Sequence, residues 1–381
     1  MENVMKARTI SLCLTLVLLL AAANLLQGGL VAPQSVVALE NAAGLVVNGT
    51  ATGFVQDGAG FDFSLQVNRV IKGDATLAGS SISASWLSGN QATAASVGNK
   101  NVGGTGIWFL QRSSGPWQVL PVVQGTMQLS NIYISAQQGP IVSAYVYSAT
   151  ASVDDKLASE ICSALEGVSG VSLPMYVYAL LSGGIDELNS SMPQLFYQRL
   201  ASSASTEQQV FGLSGRIRSG DTSALTAAAQ IASAVTGGQA QGVLLLSVRE
   251  YLRPTDPTSV NAVGQVATDS ALPTALREAA AHVLAAVHTA AALPLLAILL
   301  DDPDLNVQVE AVGGMGSFAN GLPVRTKQSA VTLAYLQLPA NAPYQTQDTV
   351  ANFVLGQAAN ETSYISFWKN WWSANRASLG Y

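Results

Sequence analysis

The stretch Pro273–His288 reads P-T-A-L-R-E-A-A-A-H-V-L-A-A-V-H, and Asp301–Phe318 reads D-D-P-D-L-N-V-Q-V-E-A-V-G-G-M-G-S-F. Set against each other, Leu276, Ala280, Leu284 and Val287 return as Val307, Ala311, Met315 and Phe318, each 31 residues later. Self-similarity at such a period marks stacked helical hairpins. One hairpin cannot cover its own apolar face, so its neighbours must do so. Stacked hairpins make extended surfaces for holding other molecules, and this stretch therefore sets both the fold and the functional expectation.

Working outward, the apolar period is helical from Val153 to the C-terminus. The spacing predicts helices near 153–167, 174–182, 192–203, 206–218, 222–236, 240–252, 257–268, 273–288, 291–300, 305–319, 325–338, 345–358 and 361–377. Asp221, Asp256 and Asp304 stand where N-caps belong, and Pro273 suits a first helical turn. Gly237-Gly238 and Asn320-Gly321 suit helix ends. Short helices on short loops predict an α-solenoid over 153–381.

Residues 41–150 read differently. A-G-L-V-V-N-G-T-A-T-G-F-V and F-D-F-S-L-Q-V-N-R-V alternate, with Phe61, Phe63, Leu65, Val67 and Arg69 on one face of the second run. S-I-S-A-S-W-L, G-I-W-F-L-Q-R, W-Q-V-L-P-V-V, N-I-Y-I-S and I-V-S-A-Y-V-Y follow, separated by turns such as Asp57–Gly60 and Arg112–Pro116. Short strands with regular turn signals predict a small barrel or a sandwich, with Trp86, Trp108 and Trp117 at strand positions. Ser88–Gly106 is long, polar and glycine-rich and reads as a loop. The fold class expected is α+β in two domains.

Residues 222–320 resemble HEAT repeats. The likeness rests on Leu276-Arg277, Ala280 and Leu284, on the D-D-P-D turn, and on Val307, Ala311 and Met315. That family commonly carries a basic residue at the position of Arg277, and Gln308 departs from it. The β region is similar to netrin-like, OB-type barrels through Val67–Asp74 and Gly106–Leu110. The HEAT resemblance implies a scaffold or adaptor with a protein partner.

Composition bounds the rest. At 381 residues, roughly 150 residues per domain gives two or three domains. Charged residues are only 10% of the chain, against about 25% in ordinary soluble domains, so the surface is polar but mostly neutral. A net charge of −6 without a basic run argues against nucleic acid as a partner.

Lys6 and Arg8 precede an apolar run, Ile10–Leu26, which has the form of a secretory signal. Cleavage falls at Ala21-Ala22-Ala23 or at Val36-Val37-Ala38; the second lies clear of the apolar run and gives a signal peptide over 1–38. An uncleaved single-span anchor is the alternative, and past residue 40 no apolar stretch is long enough for a span. The expected location is periplasm, cell envelope or outside the cell. Cys162, the one cysteine left after cleavage, has helix-core spacing from Leu157 and Leu165 and reads as a small buried hydrophobe.

The residues that carry chemistry elsewhere do not assemble into a catalytic pattern here. His282 and His288 stand about 120° apart around one helix and cannot share a metal from one face. His282 reads as partly exposed and His288 as closing its helix. G-L-S-G at Gly212–Gly215 misses the nucleophile-elbow spacing. Asp302, Asp304 and Asn306 match the first three positions of a calcium loop, but Val307 and Gly313 stand where Gly and Glu belong, so the run reads as a capped turn. Asp154, Asp155, Glu160 and Glu166 read as a solvated helix face. Asn48, Asn189 and Asn360 open formal glycosylation sequons.

The sharpest surface feature is F-W-K-N-W-W, Phe367–Trp372. Trp368 stands beside Trp371 and Trp372 at helical spacing. Two readings stay open for Trp368, Trp371 and Trp372: a cap on the terminal repeat, or an aromatic patch for a sugar or protein partner. No enzyme activity, cofactor or metal is expected. The rival to the scaffold reading is a carbohydrate- or small-ligand-binding protein that uses the β domain.

Overall fold

The structure is a computed structural model that describes residues 35–57, 60–87, 105–112, 114–120, 141–167, 185–234, 238–319 and 361–381. The layout is mixed α+β: one short helix, then a five-stranded sheet, then helices, among the described residues. The chain divides into two compact units at Phe196/Tyr197. The apolar signal run, the 88–104 loop, the N-I-Y-I-S segment and the helices expected at 174–182, 325–338 and 345–358 lie outside the described residues.

The first unit opens with α1 (Val36–Ala42), whose N-cap Ser35 accepts a hydrogen bond from the Ala38 amide and which buries Val36 and Leu39. Strands β1 (Leu45–Asp57), β2 (Gly60–Lys72), β3 (Ser81–Leu87), β4 (Thr105–Gln111) and β5 (Trp117–Val119) follow. Their pairing order is β1-β2-β3-β5-β4, and β4 pairs back to β1, so the sheet closes on itself. In β2 the alternation works as expected: Phe61, Phe63, Leu65 and Val67 are buried while Asp62, Ser64 and Gln66 are exposed. The interior holds Leu45, Val47, Leu65, Trp108 and Leu110, with Phe63 tilted 5.2 Å from Trp108.

Two β expectations need correction. Thr105 and Gly106 belong to β4 rather than to the preceding loop. The I-V-S-A-Y-V-Y run holds a 3-10 turn at Ser143–Tyr145, not a strand. Its backbone is satisfied elsewhere: the Val142 amide donates to Ser163 Oγ at 2.7 Å on α2 (Val153–Gly167). Tyr145 is fully buried and meets Phe196 edge-on.

The helical expectation is met closely where residues are described. After α3 (Met192–Ala201), which carries the unit boundary, come α4 (Thr206–Arg218), α5 (Thr222–Ile231), α6 (Gly238–Tyr251) and α7 (Pro257–Thr268). Then follow α8 (Thr274–Val287), α9 (Leu293–Leu299), α10 (Leu305–Ala319) and α11 (Glu361–Asn375). Asp221 and Asp256 cap α5 and α7 through the Ser223 and Ser259 amides. Asp304 accepts from the Asn306 and Val307 amides at the start of α10. Pro273 sits one residue earlier than expected, as the N-cap of α8.

Packing in the second unit runs in two series. Helix α4 packs on α6, α6 on α8 and α8 on α10, while α5 packs on α7 and α7 on α9. Leu276, Ala280, Leu284 and Val287, with Val307, Ala311 and Met315, all lie in one buried cluster, and Phe318 packs against it. The 31-residue correspondence is therefore a correspondence of core positions.

Candidate functional site

Helix α11 brings its three tryptophans to different places. Trp368 is fully buried in the core of the second unit, and Trp371 and Trp372 are half-buried against it. Trp368 stacks edge-on with Phe367 at 5.1 Å and with Trp371 at 5.6 Å. Its indole N–H has no hydrogen-bond partner among the described residues, an uncommon state for a buried tryptophan that costs about 1–3 kcal/mol. Packing must outweigh that cost, so Trp368 is a core residue. It anchors α11 in the core of the second unit.

Trp372 is placed otherwise. It lines an open groove of about 450 Å³ between α9 and α11. Pro294, Ala297 and Ile298 form the α9 wall, and Lys369, Trp372 and Arg376 form the α11 wall. Leu300 and Asp301 close one end, where Lys369 pairs with Asp301. Ile298 is 58% exposed, unusual for an isoleucine. The Trp372 ring also meets Tyr381 at 5.7 Å. Sequence reasoning found Trp372 but missed the facing wall, because L-P-L-L-A-I-L reads as a buried helix with no sign of an open side.

In the first unit, a buried polar cluster joins β1, β2, the segment around Tyr147 and α2. Glu160 is 2% exposed, so the expectation of a solvated face for it is wrong. Arg69 forks onto its carboxylate, Nε to Oε1 at 2.5 Å and Nη2 to Oε2 at 2.8 Å. Asn48 Nδ2 donates to Oε2 at 2.9 Å and the Tyr147 hydroxyl to Oε1 at 2.8 Å. Asn68 donates onward to Asn48 Oδ1 at 3.2 Å. The hydrogen bond and charge of Glu160 push the Arg69 pKa up, against its desolvation. Burial first, then the charge of Glu160, pushes the Tyr147 phenol well up.

Each carboxylate oxygen of Glu160 thus has two donors, and the charge is neutralised on the spot. Such a cluster holds a helix to a sheet and leaves no acid or base poised for substrate. The Asn48 sequon is occupied by the same cluster, so its amide is not presented as an acceptor. The other acids of α2 have structural partners as well. Asp154 accepts from the Asn189 amide, Asp155 pairs with the N-terminal Ser152, and Tyr145 donates to Glu166.

In the second unit, Arg249 on α6 bridges Glu278 on α8 at 2.7 Å and Glu310 on α10 at 3.4 Å. His282 Nδ1 meets Glu310 Oε1 at 2.9 Å. His282 is 5% exposed, contrary to the expectation of partial exposure, because α6, α7 and α10 all pack on α8. Glu310 and Glu278 raise the pKa of Arg249, outweighing a desolvation that lowers it. His288 does close α8, as its C-cap in the left-handed region at φ 49°.

The remaining motifs are structural. Asp302 accepts from the Asp304 amide and pairs with buried Arg277, which ties the D-D-P-D turn to α8. Among the described residues no group of three or more His, Cys, Asp or Glu could hold a metal. In G-L-S-G, a Cβ on Gly212 would lie 2.1 Å from the Ala201 amide nitrogen and 2.5 Å from the Tyr197 carbonyl oxygen. The motif is where α4 touches α3, and among the described residues Ser214 Oγ is buried without a hydrogen bond. Cys162 is fully buried, and that burial pushes its thiol pKa far up, as befits a core residue. Among the described residues no helix is long and apolar enough to cross a membrane.

No protein-family model, no curated protein and no solved structure matches this chain.

Proposed function

We propose that this chain is an exported, non-catalytic interaction protein whose helical unit is a HEAT-like α-solenoid presenting a surface to a protein partner. The observation that carries the reading is the two-series packing of α4, α6, α8, α10 and of α5, α7, α9, with the repeated apolar positions turned into one core. Repeat proteins build extended binding surfaces from such stacked series, and here exposed positions such as Gln265 on α7 and Ile298 on α9 lie on the outer helices while α8 is enclosed. The interior of the closed sheet is filled by Trp108, Phe63, Leu65 and their neighbours. This favours the helical unit over the sheet as the binding element, and so favours the scaffold over the glycan-binding reading.

Export rests on Lys6, Arg8 and the apolar run Ile10–Leu26. Cleavage after Ala38 would remove Ser35 and Val36, the cap and a fully buried residue of α1. We therefore place the cut near Ala21–Ala23, and N-terminal sequencing of the mature protein checks it.

The interaction reading is tested by a photo-crosslinking amino acid placed at exposed Gln265 on α7, at Ile298 on α9 and at Val55 on β1 of the full chain in its native envelope. A discrete adduct from the helical positions and none from Val55 is the expected result. Adducts from Val55 alone would move the binding role to the sheet, and none from any position would end the reading.

A further inference from the structure

We propose that the groove between α9 and α11 is a docking site for a peptide segment that carries a carboxylate next to an apolar side chain. The proposal rests on the interaction reading and names the chemistry of the partner at one place on it.

Lys369, Trp372 and Arg376 stand at i, i+3 and i+7 on α11, which puts them on one helix face. At 1.5 Å per residue the two cations lie about 10 Å apart along the axis, with the indole between them. The two cations are not equivalent. Lys369 is engaged by Asp301, whereas the Arg376 side chain makes no hydrogen bond or ion pair with any of the described residues. Arg376 is exposed, so it offers an unspent guanidinium beside an aromatic ring. In a chain of net charge −6 with only 17 Lys and Arg, an exposed cation that shares a groove with an aromatic ring is scarce.

The facing wall decides the class of occupant. Pro294, Ala297 and Ile298 on α9 are apolar, and Ile298 stays 58% exposed. A sugar needs several donors and acceptors around its hydroxyls, and apart from the Trp372 indole and the charged Asp301, Lys369 and Arg376 this lining is hydrocarbon. An apolar side chain against Ile298 and Trp372, with a neighbouring carboxylate on Arg376, uses every feature of the groove. Guanidinium pairs with carboxylate through two parallel hydrogen bonds, which also fixes the direction of the segment. A volume of about 450 Å³ is in the range of pockets that take ligands of this size.

The test uses the full chain and a random heptapeptide library displayed on phage, selected on wild type and on Arg376→Glu. Because Arg376 has no partner to lose, the variant is expected to keep the wild-type melting curve. The expected result is enrichment of Asp or Glu next to Leu, Ile or Phe, with affinity for the selected peptide falling about tenfold or more in Arg376→Glu. Ile298→Asp is expected to lose the same peptide while Gln265→Asp does not. Enrichment of basic peptides, or of any peptide that binds Arg376→Glu equally well, overturns the proposal. So does the absence of enrichment. Binding of polygalacturonate or of phosphatidylglycerol vesicles in place of peptide, lost in Arg376→Glu, would reassign the groove to an acidic glycan or a lipid surface. Crosslinked adducts at Gln265 that persist in Arg376→Glu would retire the groove while leaving the interaction reading intact.

Discussion

The closed sheet and the helical series handle charge in opposite ways. Around the sheet, Glu160 gathers Arg69, Asn48 and Tyr147 into one buried cluster that fastens α2. In the helical unit the core is Ala, Val and Leu, and the polar groups are spread out: caps at Asp221 and Asp256, the Arg277–Asp302 pair, and Arg249 bridging Glu278 and Glu310. A single buried carboxylate concentrates risk, since removing one partner strands the other in a poorly solvated place. Distributed caps spread it, each adding about 1 kcal/mol, although the buried Arg277–Asp302 pair carries the same kind of risk as Glu160. A chain with so few charges can therefore use them as one fastener or as many small ones, and this protein does each in a different unit.

The largest expected effects test the concentrated half of that contrast. Glu160→Ala leaves Arg69 half-buried without its carboxylate and should destabilise the first unit by about 3–5 kcal/mol. Hydrogen exchange should rise across 45–119 while 206–319 keep their protection. The double change Arg69→Met with Glu160→Leu should recover much of the loss, because an apolar replacement removes both charges together. Equal loss in the double variant would mean that the cluster specifies the docking geometry of α2 rather than merely balancing its own charges. In the helical unit Trp368→Ala should match this size, at about 3–5 kcal/mol, by opening a cavity under α11. Trp371→Ala should cost less, since Trp371 is half-buried.

A smaller effect is expected where α4 meets α3. Gly212→Ala pushes a methyl into the backbone of Tyr197–Ala201 and should cost about 1–3 kcal/mol, read as a lower urea midpoint at unchanged slope. The comparison sharpens if Gly220→Ala, with nothing near its Cβ but a φ of +90°, costs less. Contact strain and backbone strain would then be separated in the same unit.

How much of this was legible depends on what the sequence repeats. Helix positions and caps were readable because Leu276, Ala280 and Leu284 recur at Val307, Ala311 and Met315, and because Asp before a helix has one common use. The alternation in β2 was readable for the same reason, one residue type on each face. The Glu160 cluster was not: its members lie at 48, 69, 147 and 160, and no local period connects them. The available hint was Arg69 in line with Phe63, Leu65 and Val67, a charge on an inward stripe that needs a partner. The groove was half legible. F-W-K-N-W-W left a terminal cap and an aromatic patch both open and could not say that Trp368 turns inward while Trp372 lines a groove, since helical spacing fixes relative angles and not which side meets the core.

The smallest expected effect concerns pH and the distributed caps. Burial raises the Asp221 pKa, but hydrogen bonds from Ser223 and Arg216 and the Arg216 charge outweigh it, so the carboxyl titrates below its ordinary value of 3.8. The unfolded state then binds more protons than the folded state across the interval between the two values. Stability from this cap is fully present above the unfolded value and is lost as pH falls through the folded one. Asp256 follows the same direction through Ser259, although it is fully exposed. Urea midpoints of the helical unit should therefore fall as pH drops below about 4, and Asp221→Asn should flatten that fall. The amide still caps α5 but no longer titrates, so the variant should lose less than about 1 kcal/mol at neutral pH. An unchanged acid slope in Asp221→Asn would mean that the carboxylate draws its support from solvent rather than from Arg216 and Ser223. The caps would then contribute geometry alone, and the spread of charge in this unit would be a matter of solubility rather than of stability.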